Sequence, residues 1–188
     1  MGMPHSAHDW TVEQVLALPN DGNRYEVVDG ELLVSPAPEL PRQDAVLAIV
    51  RRLDAFVRSH GIGHLSISPA DVQLDQRTLV QPDVFVFEAP AGRRAERWEE
   101  IGKLLLAVEI LSPSTARYDR QVKRGRYQRE GIPEYWIVDL DSRMFERWRP
   151  GDDRPEVLHE AVEWIPDSLK AGLTIDIKAF FGEIFAAY

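Results

Sequence analysis

Two acidic residues stand in runs that otherwise read as buried strands, and this placement constrains the fold more than any other feature of the sequence. Glu109 lies inside the apolar run from Leu104 to Leu111, and Asp83 follows Pro82 at the mouth of a second apolar run. An unpaired buried carboxylate is costly, so each acid needs a partner. Carboxylate oxygens that converge from two strands suit a hard divalent cation. The pair therefore points toward metal-dependent phosphodiester chemistry.

The composition indicates a globular protein. A length of 188 residues predicts one domain, spanning 1–188, with 44% hydrophobic and 28% charged residues. The longest uncharged apolar run is far shorter than a membrane span, and we find no signal-peptide pattern. The absence of cysteine excludes disulfides, thiolate metal sites and cysteine nucleophiles. We therefore expect a cytoplasmic protein that does not enter a membrane.

The charge balance argues against simple nucleic-acid binding. The formal net charge is −9, with 31 acidic and 22 basic residues, whereas most DNA-binding proteins present a basic face. The basic residues are clustered, however, and two interpretations stay open: a local DNA-binding surface or a solvated helix face. The clustered residues are Arg93, Arg94, Arg97, Arg117, Arg120, Lys123, Arg124, Arg126 and Arg129.

Local patterns predict a mixed sheet with helices. Asp29-Gly30 between two β-forming runs predicts a hairpin over 25–34. Apolar residues at helical spacing predict a long amphipathic helix over 42–59, ended by Gly61. Further strands are predicted over 64–68, 70–74, 82–87, 104–111 and 134–139, with a charged loop or short helix over 89–100. The fold class is therefore α/β (α+β), with a mixed β-sheet core flanked by helices.

The C-terminal third is predicted to add a strand over 144–148, a strand pair near 156–159 and 163–165, and an amphipathic helix over 177–185. Its aromatic residues Phe145, Trp148 and Trp164 allow two interpretations. They could form the edge of a homodimer, or they could cover the sheet within one chain.

A helix predicted over 118–130 places Asp119, Lys123 and Tyr127 on one face, because they recur every four residues. A lysine near a scissile phosphate can stabilise the charge that develops there. The alternative is a surface Asp–Lys pair that stabilises the helix by only ~0.3–0.5 kcal/mol. Spacing alone favours the surface pair.

Several strings in order resemble the Uma2 (Uma-two) family, which is placed among restriction-endonuclease-like proteins of PD-(D/E)XK type. The resemblance covers roughly residues 10 to 180, and its specific parts are Glu109–Thr115 and Glu134–Asp139. The strings are Tyr25–Glu31, Gln81–Asp83, Val108–Thr115, the Asp119, Lys123 and Tyr127 series, and Gly131–Asp139. The resemblance implies a restriction-endonuclease-like fold.

The resemblance also implies a metal site for Mg²⁺ or Mn²⁺. Asp83 and Glu109 match the acidic metal-binding positions, and the backbone carbonyl of Ile110 would be a third ligand. The superfamily's lysine normally lies two residues after the second acid, where this chain has Leu111. In the family pattern the lysine lies on the following helix, where Lys123 matches.

Two further positions follow from the resemblance. Glu31, after the hairpin turn, resembles an additional acid found in some such sites. Family members often carry a histidine where this chain has Arg42-Gln43.

The function implied is a Mg²⁺- or Mn²⁺-dependent DNA endonuclease with Asp83, Glu109, Lys123 and Glu31 as site residues. A homodimer would suit cleavage of two strands. A second interpretation is a nuclease fold that only binds DNA or protein, favoured by Leu111 and by the acidic net charge. A third is a hydrolase of nucleotides or small metabolites, which would tolerate an acidic protein.

Overall fold

The computed structural model describes residues 9–37, 39–88 and 95–186. The helices are α1 (Val12–Leu16), α2 (Leu40–His60), α3 (Arg124–Arg129) and α4 (Ile177–Ile184). The strands are β1 (Arg24–Val28), β2 (Glu31–Ser35), β3 (His64–Ile67), β4 (Val72–Asp75), β5 (Thr78–Val80), β6 (Val84–Phe87), β7 (Leu104–Ile110), β8 (Tyr135–Asp139), β9 (Met144–Trp148), β10 (Glu156–Leu158), β11 (Ala161–Trp164) and β12 (Leu173–Asp176). A short 3₁₀ turn (Trp98–Glu100) precedes β7, and a π-helical segment (Tyr118–Lys123) leads into α3.

The described strands form three sheets, of which a six-stranded mixed sheet is the largest. Its order is β10-β9-β8-β7-β6-β3, and β7 and β8 run parallel while the other neighbours run antiparallel. A four-stranded antiparallel sheet has the order β2-β1-β5-β4, and β11 pairs with β12. The predicted mixed sheet flanked by helices is confirmed.

The N-terminal hairpin forms as its turn sequence predicts. Asp29 and Gly30 both have positive φ, 51° and 85°, which is the backbone of the tight turn that Asp-Gly favours. A Cβ atom at position 30 would collide with the side chains of Asp9 and Arg77. These atoms are the ends of exposed, flexible side chains that can move aside, so it is the positive φ that favours glycine there.

Helix α2 supplies the apolar surface that covers one face of the large sheet. It begins two residues before the predicted start, because Pro41 is accommodated in the first turn. It ends where predicted, since Gly61 takes a left-handed conformation with φ of 60°. Its inward stripe includes Ala45, Ile49 and Leu53, all buried.

The two faces of the six-stranded sheet carry different cores. One core joins α2 and α4 to the sheet and includes Val108, Trp136 and Phe145. The other lies between the sheet and both the hairpin and α3, and includes Val28 and Tyr127. Alternation along each buried strand therefore decides which core a side chain enters.

The C-terminal strands correct one predicted strand pairing and bear on the two interpretations of the aromatic residues. The strand pair predicted between 156–159 and 163–165 is wrong, because β10 pairs with β9 while β11 pairs with β12. Trp164 and Phe145 are fully buried and Trp148 is 6% exposed, so these aromatics cover the sheets within one chain. Of the two interpretations given for these aromatics, coverage of the sheet within one chain is the one that their burial supports.

Many of the clustered basic residues are already paired with acids. Arg120 contacts Asp139 and Glu146, and both Arg126 and Arg129 contact Asp29 at the hairpin turn. The predicted loop over 89–100 falls partly outside the described residues, as do Arg93 and Arg94. No helix among the described residues has the length and apolar character that a membrane span needs.

The core on the α2 side predicts a stability difference between two leucines of one helix. We expect Leu53→Ala to lower the free energy of unfolding by about 2–5 kcal/mol, because the side chain is fully buried. Leu47→Ala is the matched control, since Leu47 is 48% exposed, and it should change stability by less than about 0.5 kcal/mol. Urea denaturation followed by circular dichroism measures both values, and equal losses would contradict the assignment of the core.

Candidate functional site

The two acids singled out by the sequence lie side by side in the large sheet. Val84 of β6 pairs with Val108 of β7, so the antiparallel register sets Asp83 opposite Glu109. Asp83 is 3% exposed and Glu109 is fully buried. The backbone N–H of Ile110 donates to Asp83 Oδ2 over 2.8 Å, which ties the start of β6 to the end of β7.

Glu109 faces the hairpin because side chains alternate along β7. Val108 and Ile110 enter the core under α2, whereas Ala107 and Leu111 enter the core under the hairpin and α3. Glu109 shares the second direction. Its carboxylate therefore sits in an apolar layer, where only charged or hydrogen-bonding neighbours offset the loss of water.

Two arginines hold the Asp83 carboxylate. Arg42 lies in the first turn of α2 and donates from Nη2 over 2.7 Å to Oδ2 and over 2.9 Å to Oδ1. Arg24 of β1 donates from Nη2 to Oδ1 over 2.9 Å. Although burial disfavours the charged form of Asp83, Arg42 and Arg24 hold its pKa below the ordinary value. Asp83 is therefore an anion with its oxygens already occupied.

Lys123 is the cation of the neighbouring cluster. Its Nζ lies 2.9 Å from Glu26 Oε1, 3.0 Å from Glu109 Oε1 and 3.5 Å from Asp119 Oδ1. The ammonium is 3% exposed. Burial alone would lower the pKa of Lys123, but the surrounding carboxylates, Glu109 foremost, raise it above the ordinary value. Lys123 is therefore charged and buried rather than part of a surface pair.

A π-helical segment delivers Asp119 and Lys123 to the cluster. The backbone N–H of Arg124 bonds to the carbonyl of Asp119, five residues back, so the turn is wider than an α-helical one. The helix predicted over 118–130 is thus irregular in its first half and regular from Arg124. Such π-helical turns are frequent at functional sites.

Some oxygens of this cluster lack hydrogen-bond donors. Glu109 Oε2 and both carboxylate oxygens of Asp119 are buried without a hydrogen-bond partner among the described residues. Burial raises the pKa of Glu109 to about 8, against the attraction of Lys123 and together with repulsion from Asp119 and Asp83. Burial also raises the pKa of Asp119. The site therefore resists holding all its carboxylates as anions.

The structure places the other predicted residues differently. Glu31 is exposed at the start of β2, paired with Val28, whereas Glu26 of the same hairpin contacts Lys123. Ile110 contacts Asp83 through its backbone N–H, whereas the family resemblance predicts its backbone carbonyl as a metal ligand. Tyr127 donates its hydroxyl to Glu109 Oε1 over 3.3 Å.

Sequence reasoning missed Arg24 and Glu26; it noted Arg42 only as a departure from the family pattern and Asp119 only as a candidate ion-pair partner of Lys123. Arg24, Glu26, Arg42 and Asp119 all contact Asp83 or Lys123. Period-two alternation in β1 could have indicated the first two, because Arg24 and Glu26 share a strand face with buried Val28. Nothing in the pattern of α2 marks Arg42 as buried, since arginine is rarely fully buried.

The carboxylate oxygens of the site are the type of ligand that a divalent cation binds. Asp83 and Glu109 are neighbouring carboxylates, and the unpartnered Glu109 Oε2 is a hard oxygen donor free of the Lys123 contact. As the side chains stand, however, no three acids or histidines in the described part of the chain are arranged to hold a metal ion. An ion at this place therefore requires Asp83 to give up contacts with its arginines.

A cavity of about 570 Å³ reaches the site from the surface. Its wall includes Arg24, Arg42 and Asp83, together with Asn23, Gln43 and Asp71. Glu109 and Lys123 do not line it. The cavity therefore leads to the arginines first and to the buried cluster only behind them.

Comparisons with known proteins identify relatives of the fold and the sequence. The model of the Uma2 family, described as "Putative restriction endonuclease", matches residues 12–178. A solved protein from Anabaena variabilis ATCC 29413, described as a putative nuclease belonging to DUF820, superposes with a TM-score of 0.76 at 19% identity, over 94% of this chain and 99% of that one. No curated protein matches the sequence.

The identity to the solved protein is low, so that likeness establishes the shared fold alone. The family match spans most of the chain and agrees with the motifs from which the resemblance was drawn. The chain belongs to the Uma2 family.

Proposed function

We propose that this protein is a Mg²⁺- or Mn²⁺-dependent endonuclease that hydrolyses phosphodiester bonds of DNA. The observation that carries the proposal is the pairing of Asp83 with Glu109 across β6 and β7, with the Lys123 ammonium 3.0 Å from Glu109. Two carboxylates and a lysine are the side chains that metal-assisted phosphodiester hydrolysis needs. Membership of a family described as restriction endonucleases supports the same reaction.

In this proposal Asp83 and Glu109 hold the ion. When bound, the ion lowers the pKa of a water molecule and polarises the phosphate. Lys123 has two roles here: it keeps Glu109 and Glu26 in place through its ammonium, and it offers positive charge toward the phosphate as negative charge develops there. Because its pKa is raised, Lys123 stabilises charge and does not act as a general base.

The proposed partner is DNA, although the net charge is −9. The arginines on the cavity wall provide a local positive patch that a phosphate can approach. We also propose a cytoplasmic protein that acts as a homodimer, since cleavage of both strands of a duplex requires two sites. The buried aromatics of β9 and β11 are not proposed as that interface, since they are covered within one chain.

One observation favours a second candidate, a module of the same fold that binds DNA without cleaving it. The Asp83 carboxylate is saturated by Arg24, Arg42 and the N–H of Ile110. Leu111 also stands where the superfamily usually has its lysine. In that case the acids and bases would serve as buried structural ion pairs.

A plasmid assay distinguishes the two candidates. We expect the purified protein to nick or linearise supercoiled plasmid with Mg²⁺ or Mn²⁺ and to be inert in EDTA. Asp83→Asn and Glu109→Gln should each lower the rate roughly 100-fold or more, the scale for losing one group that stabilises the transition state. The control is Asp153→Asn, an exposed acid in the turn before β10, which should cleave at the wild-type rate. Cleavage that persists in both site variants would refute the assignment, and inactivity of the wild type would favour the binding module.

Removing the buried ammonium should destabilise the fold. We expect Lys123→Met to lower the free energy of unfolding by about 3–5 kcal/mol, because Glu26, Glu109 and Asp119 would lose their shared cation in a buried layer. Lys103→Met is the control, since Lys103 is exposed at the start of β7, and it should stay within about 0.5 kcal/mol of wild type. Urea denaturation provides the comparison, and equal stability of the two variants would show that the cluster is not held together by Lys123.

The raised pKa of Glu109 predicts a pH dependence of stability in EDTA. In the unfolded chain Glu109 titrates near 4.5, whereas in the folded protein its pKa is about 8. The folded protein therefore binds the extra proton between these values, and stability should fall as pH rises from about 5 to 8. The loss should reach at least about 1.4 kcal/mol, the equivalent of one pKa unit.

Glu109→Gln is the matched variant for this effect, because glutamine mimics the protonated acid in shape and charge. Its stability should decline less between the same pH values, measured by thermal unfolding in identical buffers. A wild-type stability that rises with pH over this range would mean that Glu109 is charged in the folded protein.

A further inference from the structure

Asp83 is both the outermost acid of the site and the most heavily occupied one. Three donors from distant segments hold it: Arg24 of β1, Arg42 of α2 and the N–H of Ile110. A carboxylate has about four lone-pair positions, and the hydrogen bonds from these donors use them. Asp83 cannot bind a cation while it keeps every one of these contacts.

The two arginines are also within reach of a phosphate that enters the cavity. Both side chains line the 570 Å³ cavity, whereas Glu109 and Lys123 lie behind them. A guanidinium presents its donors in a planar fork that fits a carboxylate and a phosphate equally well. A phosphate in the cavity therefore competes with Asp83 for the same nitrogen atoms.

We infer that Arg24 and Arg42 form an exchangeable clamp: they hold Asp83 when the cavity is empty and transfer to the phosphate of the substrate when it enters, which frees Asp83 to bind the divalent ion. This inference rests on the proposed function and adds phosphate-binding residues to it. The clamp couples two ligands, because anion binding at the arginines removes the competitor of the metal.

The contacts of Arg24 and Arg42 allow such an exchange. Arg24 is anchored independently, since its Nη1 donates to the carbonyl of Gln81 over 3.0 Å while only Nη2 contacts Asp83. Arg42 reaches Asp83 from the first turn of α2 through Nε and Nη2. The proposed exchange redirects these donors toward the cavity that both arginines line, through rotation about side-chain bonds.

Coupling of this kind is reciprocal and is measured as a change in affinity. Metal affinity should be low in the protein alone, higher when a tetrahedral anion occupies the cavity, and high without any anion once a clamp arginine is removed. A purely structural ion pair behaves in the opposite way, since its loss would disorder Asp83 and weaken metal binding.

The test is isothermal titration of Mn²⁺ into metal-free protein, in chloride and in sodium sulfate at equal ionic strength, with sulfate as the tetrahedral anion. For the wild type we expect sulfate to tighten Mn²⁺ binding by about fivefold or more. For Arg42→Gln we expect Mn²⁺ to bind about fivefold or more tightly than to wild type in chloride, with the effect of sulfate lost. Arg24→Gln serves as the second variant if Arg42→Gln does not fold.

The control is Arg58→Gln, which removes the same charge from the exposed C-terminal part of α2, where Arg58 pairs with Asp54. It should keep the wild-type affinity and the wild-type response to sulfate. Equal tightening in Arg58→Gln would overturn the clamp in favour of a general charge effect, and weaker Mn²⁺ binding in Arg42→Gln and Arg24→Gln would overturn it in favour of a structural role. Plasmid cleavage without these affinity changes would refute the clamp alone, whereas absence of both cleavage and Mn²⁺ binding in every protein would refute the clamp and the proposed function together.

Discussion

The ion pairs of the Lys123 ammonium are the interactions on which the half of the molecule that faces the site depends. The ammonium contacts acids from β1, from β7 and from its own π-helical segment, and β1 is far from the other two in sequence. Glu109 lies near the end of an apolar strand, and the buried cation offsets part of the cost of removing its carboxylate from water. The hairpin, the central strand and the crossover from β7 to β8 are thus joined by one charge.

The position of the Lys123 ammonium also explains why this lysine lies so far along the chain from Glu109. β7 and β8 are parallel, so the segment between them must cross the face of the sheet, and it carries Lys123 over Glu109 as it does so. The residue two positions after Glu109 is Leu111, which points into the apolar core beside the cluster. A lysine on the crossover approaches the Glu109 carboxylate from the face of the sheet. A lysine two positions after Glu109 would approach the same carboxylate along the strand.

The sequence was sufficient where local rules decide. The Asp29-Gly30 turn, the span of α2 ended by Gly61, and the acid inside β7 each have a local signature, and each is found where predicted. It was insufficient where partners come from distant segments. Glu31 and Glu26 lie on the same hairpin, and only the docking of β1 against the π-helical segment decides which of them meets Lys123. Likewise, the burial of Arg42 follows from the position of α2 relative to Asp83 and not from the pattern of α2 itself.

The two cores on opposite faces of the large sheet differ in whether they include residues of the N-terminal hairpin. Among the residues that the structure describes, the core under α2 contains none before Ala45, whereas the core around the cluster includes Val28 and Leu33 of the hairpin. An opening of the hairpin would therefore disturb only the core around the cluster, and such sub-global openings have a lower free energy than complete unfolding. Since Glu109 is fully buried and lies behind the arginines, such an opening is a route by which water and ions can exchange with it. Amide hydrogens of β1 and β2 would then exchange with solvent well before those of β8. The opening rate of the hairpin would set how fast water and ions around Glu109 exchange with the solvent.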